Sequence, residues 1–266
     1  MEIKQKLYSI NNQLSMFGID PIKTFNSMRR LPYYLRNLQL LKNQKGTAAK
    51  DFPFGRPYPC LHDRFSNSGS VKGHYFHQDL LVARRIHSNN PGIHLDVGSR
   101  VDGFVAHVAS FRPIYVIDVR PLACNIPNVT FKQADLMAPI QDELIGYCDS
   151  LSCLHTIEHL GLGRFGDKVI YDGYLLGLNN LRHILKKGGK LYLSVPIGPE
   201  RIEFDAHRVF SISYLMELFD GKYHIDHFSL VDDNCDLHES IPITETSQLN
   251  NYGCVFGCGI FEMTKL

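Results

Sequence analysis

From residue 93 onward, short apolar runs alternate with stretches of helical character, and this alternation constrains the fold more than any other feature. "IHLDVGS" reads as a strand running into a loop, with "VAHVASF" as the helix behind it. "IYVIDV", "VTFKQADL" and "CDSLSCL" read as the second, third and fourth strands. "YLLGLNNLRHILKKGG" reads as a long helix ending in the lysines and glycines that suit a helix C-terminus, followed by "KLYLSVP" as the fifth strand. The closing runs "YHIDHFSLVDD" and "YGCVFGCGIFEMTKL" read as two strands forming a hairpin-like pair. Such alternation requires right-handed crossovers and a mostly parallel sheet covered on both faces. The expectation is a doubly wound α/β domain of seven strands, the last antiparallel, with ligand at the strands' carboxyl ends.

This domain is expected over residues 74–266, preceded by a helical and extended segment over residues 1–73. Leucines at 31, 35, 38 and 41 give helical spacing, and "DFPFGRPYPCLHDRFSNSGS" is dense in Pro, Gly and Ser, as an extended connector is. Residues 51–79 are expected to fold over the ligand mouth as a lid, bringing the polar and aromatic cluster of His74, Tyr75, His77, Gln78 and Asp79. The competing reading of that cluster is a solvated helix start.

The first loop, "DVGSRVDGF", carries Asp96, Gly98 and Gly103 but places Arg100 and Asp102 where a dinucleotide fingerprint wants glycine. Without G-x-G-x-x-G there is no smooth glycine-lined helix N-terminus to cradle a pyrophosphate. Gly98 still permits close backbone approach. Asp118 ends the second strand twenty residues beyond Gly98, where a carboxylate can accept hydrogen bonds from both ribose hydroxyls. Asp135 ends the third strand, within reach of an adenine amino group. Each could be a simple turn residue; the three in order point to an adenosine-bearing ligand without a pyrophosphate.

The runs "HLDVGS", "VIDVRP", "KQADL", "CDSLSCLHTIEHL" and "LKKGGKLYLSVP" resemble class I S-adenosylmethionine-dependent methyltransferases. "GHYFHQD", "GLGRFGD" and "HRVFS" resemble, more narrowly, an uncharacterised methyltransferase-like family first catalogued in nematodes and also seen in bacteria. The resemblance implies a Rossmann-like sheet and a cofactor site made of Asp96, Gly98, Ser99, Arg100, Asp118, Val119, Arg120, Asp135, Leu136 and Leu154. Arg100 or Asp102 would hold the methionine end.

In "HTIEHLGLGRFGD", a helix would place His155, Glu158 and His159 on one face. The string matches an inverted zinc-protease motif, but Gly161 and Gly163 cut the helix short and the context is wrong for a protease. Many class I methyltransferases carry a Glu-His pair here for packing. Small-RNA 2′-O-methyltransferases and quinone O-methyltransferases carry a similar E-x-x-E-H run that binds a divalent metal. By that resemblance His155, Glu158, His159 and His207 would hold Mg²⁺, Mn²⁺, Fe²⁺ or Zn²⁺, the histidines tilting the choice away from Mg²⁺. Without metal, His155, His159 or His207 would serve as general base. Arg164 and Asp167 are expected to close their loop by an ion pair or to contact substrate.

Composition narrows the function. With 28 Lys+Arg against 27 Asp+Glu the net charge is +1, so there is no basic excess for a polynucleotide. No apolar run approaches a membrane span, and "MEIKQKLYSINNQ" is too polar for a signal peptide. Seven cysteines without a C-x-x-C pair suit free thiols in a reducing cytoplasm. Cys235, Cys254 and Cys258 read as buried thiols rather than metal ligands. The expected function is cytoplasmic O-methylation of a sugar, glycan precursor or other small molecule. The rivals are a non-catalytic binder of nucleotide or adenosylmethionine and a nicotinamide-dependent oxidoreductase.

Overall fold

The computed structural model describes residues 11, 13–45, 52–61, 63–66, 68–69 and 71–266. The chain divides into two compact units, residues 1–70 and 71–266. The first contains one long helix, α1 (Pro21–Lys45), which includes all four leucines of the helical repeat and buries no residue. Pro21 opens it, and Asp20 Oδ1 accepts the Lys23 N–H at 2.8 Å, satisfying one of the amides a helix start leaves free. Residues 1–10, 12 and 46–50 of the segment expected to be helical, and residues 51, 62, 67 and 70 of the expected lid, lie outside the described residues.

The second unit begins with α2 (His74–Asn89) and then alternates as expected: β1 (His94–Val97), α3 (Ala106–Ala109), β2 (Ile114–Asp118), β3 (Val129–Gln133) and β4 (Cys148–Leu154). There follow α4 (Gly173–Ile184), β5 (Leu185–Ile197), a short ribbon of β6 (Arg201–Glu203) and β7 (His207–Val209), and α5 (Ile212–Phe219). The chain closes with β8 (Tyr223–Val231), β9 (Leu237–His238), α6 (Glu245–Asn250) and β10 (Gly257–Lys265). The main sheet has the order β3-β2-β1-β4-β5-β10-β8-β9. Strands β1 to β5 are parallel, and β10 runs antiparallel between β5 and β8. The mostly parallel sheet with an antiparallel last strand is therefore as expected. The two-residue β9 adds an eighth strand at the β8 edge.

Strand order reverses at β1, with β2 on one side and β4 on the other. Loops leaving these two strands diverge, which opens a crevice above their carboxyl ends. The strands hold that crevice rigidly because both faces of the sheet are buried. Leu191, Leu193, Val195 and Ile197 of β5 point to a core shared with Leu181 and Ile184 of α4 and Phe219 of α5. Tyr192 points the other way, towards Leu81, Val82 and Ile86 of α2 and Phe104. This is the period-two alternation of a doubly covered strand.

One boundary differs from the sequence reading. The helix over "YLLGLNNLRHILKKGG" ends at Ile184, and the lysines and glycines belong to β5. Register jumps from Cys148↔Leu185 to Ser150↔Lys190, so residues 186–189 bulge out of the sheet. Gly188 adopts φ +76°, and a Cβ on Gly189 would lie 2.9 Å from the Lys186 carbonyl oxygen. The pair that looked like a helix stop is what lets the strand bulge.

Phe261 of β10 is fully buried against the rings of Phe219 and Phe228, at 5.3 and 4.8 Å. Phe261→Ala should lower unfolding free energy in urea by about 3–5 kcal/mol, whereas exposed Leu249→Ala should change it by less than about 0.5 kcal/mol. Equal effects would show that β10 does not anchor the sheet.

Candidate active site

The crevice holds a cavity of about 260 Å³. Its floor is built by the turn after β1. Gly98 sits at φ +77°, and a Cβ there would lie 2.4 Å from Thr156 Cγ2, so only glycine fits. Thr156 follows β4 and hydrogen-bonds through Oγ1 to the Val97 carbonyl at 3.2 Å, tying the two diverging loops together.

Of the sequence-derived cofactor residues, Gly98, Arg100, Asp118 and Val119 line this cavity, with Arg120, Asp135, Leu136 and Leu154. Asp118 ends β2, and its carboxylate accepts the Arg120 backbone N–H at 2.8 Å and both arms of the Arg120 guanidinium, at 3.0 and 2.5 Å. Asp135 Oδ1 accepts the Met137 N–H at 2.8 Å, fixing the turn after β3 and leaving the rest of the carboxylate at the cavity wall. Arg100 pairs with Asp102 at 2.7 Å on the exposed rim, and Asp102 does not line the cavity.

Asp96 and Ser99 are not on the wall either. Asp96 is fully buried and accepts the hydroxyls of Ser99 and Ser152 at 2.8 and 2.5 Å and the Ser99 N–H at 3.1 Å. Its task is to brace the loop from behind. Burial pushes its carboxyl up to about 7, against the pull of those three hydrogen bonds.

The second loop departs most from expectation. His155 takes a left-handed backbone, φ +48°, directly after β4, and only Ile157–His159 form a 3₁₀ turn. No α-helix forms, because the left-handed residue breaks the chain direction at once and Gly161, at φ +76°, ends the turn. A Cβ on Gly161 would lie 1.9 Å from the Ile170 carbonyl oxygen. A left-handed non-glycine residue is held only by strong local constraints, and such residues gather at functional sites. Here the constraints are an N–H to the Ser194 carbonyl at 3.0 Å and a buried side-chain pair.

That pair is His155 Nδ1 donating to Glu158 Oε1 at 2.6 Å, both fully enclosed. Burial opposes charge on both groups. Nearby Cys258 and Glu158 nevertheless hold the imidazole well above the ordinary histidine range, and the imidazolium holds Glu158 below the carboxylate range. His159 Nδ1 donates to the Ala206 carbonyl at 2.6 Å, with Nε2 3.8 Å from Glu158 Oε1. Burial lowers its pKa. His155 and His159 line the cavity; His207 does not, and its Nε2 faces Glu203 Oε2 at 3.1 Å on the β6–β7 ribbon. No three of His155, Glu158, His159 and His207 bring ligand atoms within 4.8 Å of one another, so the expected four-residue metal site is not assembled. Without the helix, His155 Nδ1 and His159 Nε2 meet Glu158 at a single oxygen, Oε1, at 2.6 and 3.8 Å, while His207 turns to Glu203.

Arg164 and Asp167 do not pair. Asp167 accepts the N–H groups of Gly161 at 3.0 Å and Phe165 at 3.2 Å, closing the loop alone. Arg164 donates to the Ala206 carbonyl at 3.1 Å. Phe165 lies between the guanidinium groups of Arg120 and Arg164, at 4.9 and 5.1 Å, and covers one side of the cavity. Sequence reasoning missed Phe165, Thr156 and Leu160 as wall residues; the glycines around "GLGRFGD" were the signal that this loop turns back over the site. From "GHYFHQD", Tyr75 lines the cavity. Gln78 and Asp79 are buried rather than solvated, with Gln78 Oε1 accepting the Ser194 hydroxyl at 2.6 Å.

The family model described as "Caenorhabditis protein of unknown function, DUF268" matches residues 133–256, somewhat under half of the chain. No curated protein matches the sequence. Among solved structures, the [4+2]-cyclase SpnF is similar over 74% of this chain and 85% of its own, at 13% identity and a TM-score of 0.50. The N-methyltransferase NodS from Bradyrhizobium japonicum WM9, solved with S-adenosyl-L-homocysteine, is 13% identical, with 72% and 87% covered and a TM-score of 0.48. The 1,6-didemethyltoxoflavin-N1-methyltransferase of Burkholderia thailandensis is 14% identical, with 71% and 78% covered and a TM-score of 0.48. The likeness is one of fold, a Rossmann-like doubly wound sheet with an antiparallel last strand.

The buried Asp96 carboxyl gives a direct thermodynamic test. It keeps its proton to about pH 7 in the fold but loses it near 3.9 when unfolded. Its contribution is thus complete below about pH 4 and is lost as pH rises to about 7. Asp96→Asn has no proton to lose and should gain stability relative to wild type by ~1.4 kcal/mol per pH unit across that window. His94, which burial lowers to about 3, has the opposite slope but is common to both proteins. Urea unfolding of both at pH 5, 6 and 7 checks this; a constant difference would mean Asp96 is ionised in the fold.

Proposed function

We propose that the chain is an S-adenosylmethionine-dependent methyltransferase acting on a hydroxyl of a sugar, glycan precursor or other small molecule. One observation carries the reading: Gly98, Asp118, Asp135, Leu136 and Leu154 face one cavity at the strand-order reversal. The donor set fits adenosylmethionine. Asp118 supplies acceptor oxygens for ribose hydroxyls, Asp135 an acceptor for the adenine amino group, and Ile117, Leu136 and Leu154 apolar surface for the ring. Arg100, on the rim, would meet the methionine carboxylate. A fold alone does not fix a reaction, and the cyclase of similar fold illustrates this.

When bound, the sulfonium supplies an activated methyl group, so transfer to an alcohol needs alignment and a place for the hydroxyl proton. His159 is the base best suited among the residues named: it lines the cavity, burial keeps it neutral, and Ala206 fixes its Nδ1 as the donor nitrogen. His155 carries its proton towards Glu158 and acts as a charged, rigid wall. Phe165 and Tyr75 form side walls of the cavity.

The near-neutral charge favours a small acceptor over nucleic acid. No helix among the described residues is long and apolar enough to cross a membrane. All seven cysteines are free, which supports a reducing compartment such as the cytoplasm. The non-catalytic alternative separates from this reading by turnover across sugar nucleotides and glycans.

Calorimetry should show adenosylhomocysteine binding with no comparable binding of NAD. Asp118→Ala should weaken adenosylhomocysteine by about 1–3 kcal/mol, roughly 5- to 150-fold, while the protein stays folded. Unchanged affinity would remove the ribose assignment.

A further inference from the structure

We propose that His74, His155 and Cys258 form a three-ligand site for a zinc-class ion, Zn²⁺ being the expected occupant, at the back of the cavity. His74 opens α2, His155 follows β4, and Cys258 lies at the start of β10, which is antiparallel and so begins at the same end of the sheet. Tertiary folding gathers three residues that share no sequence motif. One ligand atom from each lies within 4.8 Å of the others, and this is the one such group of three among the described residues.

The spacing is that of a coordination shell. With Zn–N near 2.05 Å and Zn–S near 2.3 Å, a tetrahedral ion separates two nitrogens by about 3.3 Å, and nitrogen from sulfur by about 3.6 Å. His74 Nδ1 and His155 Nε2 are 3.2 Å apart. Cys258 Sγ lies within 4.8 Å of both nitrogens, and its contacts with Gln78 Oε1 and the Gly259 carbonyl, both at 3.9 Å, are too long to hold it away from an ion. Cys258 and His155 are buried and His74 is half-buried, so the site is screened from bulk water.

The surroundings are also those of a metal centre. Glu158 accepts the Nδ1–H of His155 at 2.6 Å, so an ion would displace only the Nε2 proton, and the lone pair so freed faces His74 Nδ1, 3.2 Å away. A carboxylate behind a histidine ligand fixes its tautomer and strengthens its donation. A thiolate with two imidazoles selects a borderline-soft transition ion over Mg²⁺ or Ca²⁺. Three protein ligands leave a fourth position, the pattern of an open rather than a structural zinc site. His155 is shared with the cavity wall, and the Tyr75 ring, 5.1 Å from it, is on the same wall. The site differs from the sequence-derived quartet, sharing only His155. It also gives Cys258 a task beyond filling space. None of this depends on the methyltransferase reading.

The test uses the full-length protein, stripped by chelator and titrated with Co²⁺, whose spectrum reports thiolate ligation. Wild type should bind one Co²⁺ per chain, develop a sulfur-to-cobalt charge-transfer band, and release the cobalt to Zn²⁺. Cys258→Ser should lose that band, whereas Cys254→Ser should keep it. His74→Ala changes a half-buried residue at a helix start and should weaken Co²⁺ at least ~100-fold while leaving the circular dichroism unchanged. Absence of the band in wild type, its persistence in Cys258→Ser, or unaltered affinity in a folded His74→Ala would overturn the proposal. Failure of adenosylhomocysteine to bind would leave these outcomes untouched, so the two readings stand or fall separately.

Discussion

The site depends on one steric constraint, the closeness of the loops leaving β1 and β4. They meet at Gly98 and Thr156, where a single added carbon would overlap the threonine side chain. Because they meet there and then part, the cavity has a closed floor and divergent walls. The wall after β2 and β3 carries Asp118 and Asp135, and the wall after β4 carries His155 and His159. Asp96 acts beneath this meeting point, binding Ser99 of one loop and Ser152 of the neighbouring strand. A protonated carboxyl can donate as well as accept, which suits it to a buried position between two hydroxyls.

On the second wall the organising group is Glu158. It is fully buried, and its charge is offset by His155, with His159 beyond. Removing it would leave an uncompensated imidazolium in a dry site, which is costlier than losing an exposed ion pair. The pair also accounts for the left-handed His155 backbone: the side chain reaches Glu158 three residues ahead without a helix between them. The consequence is two histidines pushed in opposite directions, His155 upward by Cys258 and Glu158 against its burial and His159 downward by burial.

Most of the sheet was legible in the sequence because its central strands bury both faces, although β3 at the edge has no buried residue. "HLDV", "IYVID", "VTFKQ" and "CDSLSCL" appear as β1 to β4 at the places their apolar runs indicate. The aspartates at strand ends were legible too, since strand order alone puts Asp118 and Asp135 above the crevice. What periodicity could not reveal was backbone handedness. His155 and Glu158 were expected on one helix face; they do touch, but through a left-handed residue that no spacing rule anticipates. Nor could spacing reveal that "KKGG" bulges from a strand rather than ending a helix. Cys258 was read as a buried thiol and is buried. Its neighbours His74 and His155 come from distant segments, so their meeting depends on the completed sheet.

The central claim is that this cavity holds the adenosyl moiety. The most direct measurement is a crystal structure of the full chain with adenosylhomocysteine. The account predicts ribose hydroxyls on the Asp118 carboxylate, the adenine ring against Leu136 with its amino group towards Asp135, and sulfur near His155 and His159. Ligand density elsewhere on the protein, or a ribose that makes no contact with Asp118, would contradict it.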